Sequence, residues 1–81
     1  MDENQTIAEI KKFIETHIVA AGVRLEAETN LQDAGIDSFS IVEIILFIQR
    51  RFGIAIPDAE LVPENFKNLQ SLARMVKQLS A

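Results

Sequence analysis

The sequence predicts an all-α fold, a small bundle of three main helices plus one short helix. Three observations carry this. Apolar residues recur at helical spacing in three separate stretches. The three glycines, Gly22, Gly35 and Gly53, each fall between those stretches, where helix ends and tight turns need positive φ. At 81 residues and 48% hydrophobic composition, the chain has material for one modest core and a single domain spanning 1–81.

The first helix is expected to open at Thr6, with Thr6 and Glu9 forming a capping box. Ile7, Ile10, Phe13, Ile14 and Ile18 follow at helical spacing, and the helix should end near Ala21 with Gly22 beyond it. Residues 23–36 form a long connection whose Val23, Leu25, Leu31 and Ile36 are expected to pin it to the core. Long loops in small domains tend to be functional. Asn30 to Asp33 has the composition for a single helical turn.

The second helix is expected over Ser38–Phe52. Ile41, Ile44, Ile45, Ile48 and Phe52 make one stripe at i, i+3, i+4, i+7 and i+11. Its isoleucine content would suit a strand, but the unbroken length does not. Arg50 and Arg51 suit the negative C-terminal end of the helix dipole, and Gly53 supplies the stop. In IAIPDAELVP, two prolines bracket Asp58 to Val62 and leave room for one short helical turn. The last helix opens after Asn68, an N-cap, with Leu69, Leu72, Ala73, Val76 and Leu79 on one face.

Composition narrows the function classes. There is no cysteine, which removes disulfides, thiolate zinc sites and cysteine nucleophiles. A net charge of −4 argues against nucleic acid as the main partner. The opening MDENQTIAEI lacks the basic-then-apolar order of a secretory leader, and no apolar run approaches a membrane span, so the expectation is a cytoplasmic protein. His17 is the one histidine and is expected at the edge of the first helix's buried face. DAGID places carboxylates at 33 and 37 without the alternating oxygen ligands of an EF-hand loop. Neither the second nor the last helix has a basic, polar face able to read base edges.

Ser38 is the residue with most to explain. Asp37 and Ser38 are both good N-cap residues, and Ser40 with Glu43 could form another capping box. The same geometry suits a second role. A serine in the first turn of a helix, beside a long loop, stands where free N–H groups and the positive helix end favour an attached phosphate by roughly 0.3–1 kcal/mol. Local physics permits both readings.

GIDSFSIVE, from Gly35 to Glu43, resembles the phosphopantetheine attachment motif of acyl carrier proteins, G-[ILV]-D-S-[LF]-x-x-V-E. The likeness extends over nearly the whole chain, including RRFGIAIPD and the closing amphipathic helix. The resemblance implies that Ser38 carries 4′-phosphopantetheine, installed from coenzyme A by a phosphopantetheinyl transferase that interacts with Asp37. The arm's thiol would hold an acyl or aminoacyl group as a thioester, and the carrier itself would catalyse nothing. The absence of cysteine fits, since the working thiol arrives with the group.

The motif helix would then be the recognition surface. Phe39, Glu43, Leu46, Phe47 and Arg50 fall on a stripe roughly opposite the isoleucine face. Phe39 and Phe47 are candidate anchors for a partner's pocket, or wall residues of the core. Asp58 and Glu60 would extend the acidic surface. Expected partners are the transferase, an acyl- or aminoacyl-activating enzyme, and an acyltransferase or synthase, with the carrier a monomer.

Three features depart from fatty-acid carriers: phenylalanine after the serine, the run Gln49-Arg50-Arg51 where acidic residues are usual, and a less negative charge. DSF and PENF (Pro63–Phe66) look more like D-alanyl and other free-standing aminoacyl carriers. The alternative is a non-catalytic helical interaction domain in which Ser38 is only a cap.

Overall fold

The structure, a computed structural model, describes residues 2–80. Three α-helices, α1 (Glu3–His17), α2 (Ser38–Phe52) and α3 (Leu69–Ser80), form the bundle, and no strand occurs among the described residues. Two 3-10 turns, Asp58–Glu60 and Pro63–Phe66, lie between α2 and α3.

The first helix begins earlier and ends sooner than its sequence suggests. Asp2 is the N-cap: its carboxylate accepts from the Gln5 N–H at 2.8 Å, and the Gln5 side chain accepts from the Asp2 N–H at 3.2 Å. The Thr6–Glu9 box does not form. Thr6 is instead buried inside the helix, its hydroxyl donating to the Asp2 carbonyl at 3.1 Å. At the far end, the β-branched pair Ile18-Val19 adds crowding that a helix tolerates poorly. Both N–H groups fold back onto the Ile14 carbonyl, at 2.9 and 3.1 Å, and the chain leaves the helix. Gly22, with φ of 91°, then belongs to a separate turn closed by the Val23 N–H on the Ala20 carbonyl.

The long connection is pinned as expected. Leu25, Leu31 and Ile36 are buried. The Leu25 N–H donates to the Glu15 carboxylate at 2.8 Å. Two backbone bonds tie the connection to the start of α3: Leu31 N–H to the Lys67 carbonyl at 2.9 Å, and Gln70 N–H to the Ala27 carbonyl at 3.1 Å. Asn30 to Asp33 makes a single turn closed by the Ala34 N–H on the Asn30 carbonyl at 3.1 Å, with the Asn30 side chain accepting from the Asp33 N–H.

Helix α2 has the predicted bounds and stops at Gly53, whose φ of 66° is left-handed. Asn68 caps α3 by accepting from the Ser71 N–H at 2.8 Å. The second 3-10 turn was not expected. Pro63 opens it with its fixed φ, and the Asn65 amide donates to the Glu60 carbonyl at 2.7 Å, joining the two turns.

The core gathers Ile10 and Ile14 from α1, Ile44 and Ile48 from α2, and Leu69, Leu72, Met75 and Val76 from α3, with Leu25, Leu31, Ile36 and Ile56 from the connections. Between α1 and α2 the Phe13 and Phe47 rings stack at 4.2 Å, with Phe52 edge-on to Phe47 at 6.4 Å. Phe47 is therefore a half-buried wall of the helix–helix layer rather than a free anchor. His17 is exposed at the end of α1, its ring 5.1 Å from that of Phe13.

Candidate functional site at the start of helix α2

The cap of α2 is Asp37, not Ser38. Asp37 has extended backbone, and its carboxylate accepts from the Ser40 N–H at 2.9 Å. The Ile41 N–H closes the first helical turn on the Asp37 carbonyl. Ser38 is thus the first residue inside the helix, and its side chain is exposed. Ser40 takes part in this cap only as a donor, so the Ser40–Glu43 box is absent. The capping work that a purely structural reading assigns to Ser38 is done by its neighbour.

This division of labour frees the Ser38 hydroxyl. The N–H groups of Ser38 and Phe39 have no carbonyl one turn back to accept them, because the helix starts there. They and the helix dipole favour negative charge at this end of the helix, part of which the Asp37 carboxylate supplies. The Ser40 N–H, and after it the Ser40 hydroxyl, hold the Asp37 carboxyl below the usual carboxylate range. Asp37 therefore stays ionised with its charge directed at Ser40.

Ser38 also lies on the edge of an open groove of ≈ 980 Å³. Ile41 and Ile45 of α2, Leu61, Val62 and Phe66 line it, as do Leu31 and Ile36. Asp37, Glu64 and Lys67 supply its charges. An accessible hydroxyl in the first turn of a helix and adjoining apolar space fit a phosphopantetheine group, which supplies a thiol on a long flexible arm when bound.

The other residues singled out from sequence separate into groups. Phe39 is 76% exposed and Leu46 50%. Glu43 and Arg50 are exposed on the same side of α2. Val42, 54% exposed, completes this stripe and was missed, although its spacing from Phe39 and Leu46 places it there. Asp58 is exposed and Glu60 half-buried on the first 3-10 turn, and neither lines the groove. Leu61, Val62, Glu64 and Lys67 line it without having been singled out; irregular segments offer no periodicity to mark them.

The run Gln49-Arg50-Arg51 divides three ways. The Gln49 side chain accepts from the Ile56 N–H at 2.9 Å and so fixes the chain after α2. Arg51 is paired with Glu9 of α1. Arg50 has no ion-pair partner among the described residues. No group of acidic or histidine side chains among the described residues could hold a metal ion, and no helix there is long and apolar enough to cross a membrane.

The family profile described as "Phosphopantetheine attachment site" matches residues 16–76. The chain is 36% identical over 73 residues to aminoacyl carrier protein 1 of Bradyrhizobium diazoefficiens, covering 90% of this chain and 79% of that protein. It superposes with a TM-score of 0.73 and 30% identity on a chain in the crystal structure of Bradyrhizobium japonicum glycine:[carrier protein] ligase complexed with glycylated carrier protein, over 90% of this chain and 96% of that one. The acyl carrier protein of Thermotoga maritima has the same fold, with a TM-score of 0.75 at 19% identity, covering 99% of this chain and 92% of that one. A free serine at a helix mouth, within a three-helix bundle matched along most of its length, places this chain in the family of phosphopantetheine-bearing carrier proteins, which are carriers and not enzymes.

Proposed function

We propose that Ser38 is the attachment residue and that the arm carries an aminoacyl group, loaded by an aminoacyl-activating ligase. The single observation behind the assignment is that Asp37 caps α2 and leaves the Ser38 hydroxyl exposed without a structural task. The cargo reading leans on the similarity to a carrier named as aminoacyl and to one solved glycylated beside its ligase. Asp37 sits where a phosphopantetheinyl transferase must approach, and it keeps the helix mouth in register while doing so. Phe39, Glu43, Leu46 and Arg50 form the face presented to partners, while Phe47 supports that face from behind. Asp58 and Glu60 contribute only general acidity. The carrier works as a cytoplasmic monomer, passing its cargo from the ligase to an acyltransferase or synthase.

The test is co-expression with a promiscuous phosphopantetheinyl transferase, followed by intact-mass measurement. The expected result is a mass gain of one phosphopantetheine that vanishes in Ser38→Ala. The modified protein is then offered to amino-acid- and fatty-acid-activating enzymes. An aminoacyl thioester is expected; a fatty-acyl thioester alone would overturn the cargo assignment and leave the attachment site standing.

A further inference from the structure

The exposed side of α2 carries a charge order that restricts which ligase can dock on it. At about 100° per residue, Val42, Leu46, Phe39, Arg50 and Glu43 fall within roughly a third of the helix circumference. The apolar part of this stripe is well exposed: Phe39 76%, Val42 54%, Leu46 50%. One acid and one base accompany it. Glu43 lies five residues beyond Ser38, about 7.5 Å along the axis, and Arg50 twelve beyond, about 18 Å. Neither pairs with another side chain among the described residues. The two neighbours that could blur this pattern are occupied. Gln49 is bonded to the Ile56 N–H, and Arg51 is neutralised by Glu9 on the flank facing α1.

Resting on the carrier reading above, we infer that this stripe fits a ligase whose docking patch holds an apolar pocket, a cation near the serine and a carboxylate at the far end, and that Arg50 alone of the arginine pair reads that carboxylate. The argument is charge complementarity. A partner built to grip acids along all of α2 would bring a cation against Arg50 and be repelled. A partner with a far-end carboxylate gains an ion pair and a defined orientation, because reversing the helix on such a patch sets Glu43 against the acid and Arg50 against the base. The stripe is therefore directional: it presents Ser38 at the cationic end of the partner's patch. The apolar residues supply the burial, and the two charges supply register.

The experiment uses the mass-verified, phosphopantetheine-bearing protein and the Bradyrhizobium japonicum glycine ligase as probe, with initial rates of glycyl thioester formation. The expected result is loading of the wild type, a loss of about tenfold or more in kcat/KM for Arg50→Glu carried by KM, and near-wild-type rates for Arg50→Lys. Arg51→Gln should stay within about twofold, since its charge is already spent on Glu9. Raising salt should weaken the wild type more than Arg50→Gln. Equal rates for Arg50→Glu and wild type overturn the inference, as does an equal loss at Arg51. A carrier that bears the arm and is refused by the ligase overturns the docking assignment while leaving Ser38 as the attachment residue. A chain that never acquires the arm overturns both. Circular dichroism on each variant separates docking losses from unfolding.

Discussion

Arg51 of α2 donates its Nε–H to the Glu9 carboxylate of α1 at 2.8 Å, and its guanidinium also lies over the Phe52 ring at 5.4 Å. The pair crosses the same helix–helix layer that Phe13 and Phe47 fill. Both side chains are about two-fifths exposed, so the pair is a modest stabiliser screened by salt. Its removal in Arg51→Gln should cost about 0.2–1 kcal/mol, read as a shift in the urea midpoint that shrinks at high salt. Arg51→Glu should cost more, because it sets two carboxylates together, and Glu9→Lys should recover part of that loss in the double variant. Arg50→Glu should leave the midpoint within about 0.5 kcal/mol of wild type. Equal effects at the two arginines would refute the assignment of different tasks.

Ser38→Ala separates carrying from folding. Because Asp37 holds the cap, removing the Ser38 hydroxyl should change stability by less than about 0.5 kcal/mol while abolishing phosphopantetheine attachment. Chemical denaturation and intact mass on the same preparation check both halves. A loss in the range of a true cap, about 0.5–2 kcal/mol, would return Ser38 to a structural role.

Asp37 has a pH signature. Its carboxyl is depressed below its ordinary value by the Ser40 N–H and hydroxyl. A depressed acid stabilises the fold above its unfolded-state value and loses that contribution as pH falls through the folded value. Asp37→Asn keeps a cap oxygen but removes the charge, so wild type should exceed it in Tm at pH 7, with the gap closing on the acid side of the ordinary carboxylate range. Asp37→Ala should fall below Asp37→Asn at neutral pH. A gap that widens on acidification would contradict the cap geometry.

Much of this fold could be read directly from the chain. The isoleucine stripe and Gly53 bound α2 without tertiary help, and Asn68 marks α3. The start of α1 is not decided locally, because Asp2–Gln5 and Thr6–Glu9 both offer the same capping chemistry. Nothing within one turn chooses between them; the longer helix wins by adding a turn and burying Thr6. Phe47 was ambiguous for a different reason. Its angular position borders both faces of α2, and only Phe13 on another helix decides the matter. Gln49, Arg50 and Arg51 look like one basic ending in the sequence. They differ in their partners: the Ile56 backbone for Gln49, Glu9 for Arg51, and none among the described residues for Arg50. Ser38 stands out from its motif as the candidate serine, but its freedom from capping duty is visible only in the Asp37 hydrogen bond.

The bond from the Leu31 N–H to the Lys67 carbonyl joins two residues that both line the groove beside Ser38. It acts as the spine of a book. That side is stitched by backbone, with the Gln70–Ala27 bond sewn beside it, whereas Ile41, Ile45, Leu61 and Val62 also line the groove. Among the described residues the backbone bonds at Leu61 and Val62 stay within their own 3-10 turns, so a group wedged into the groove would meet its least backbone resistance there.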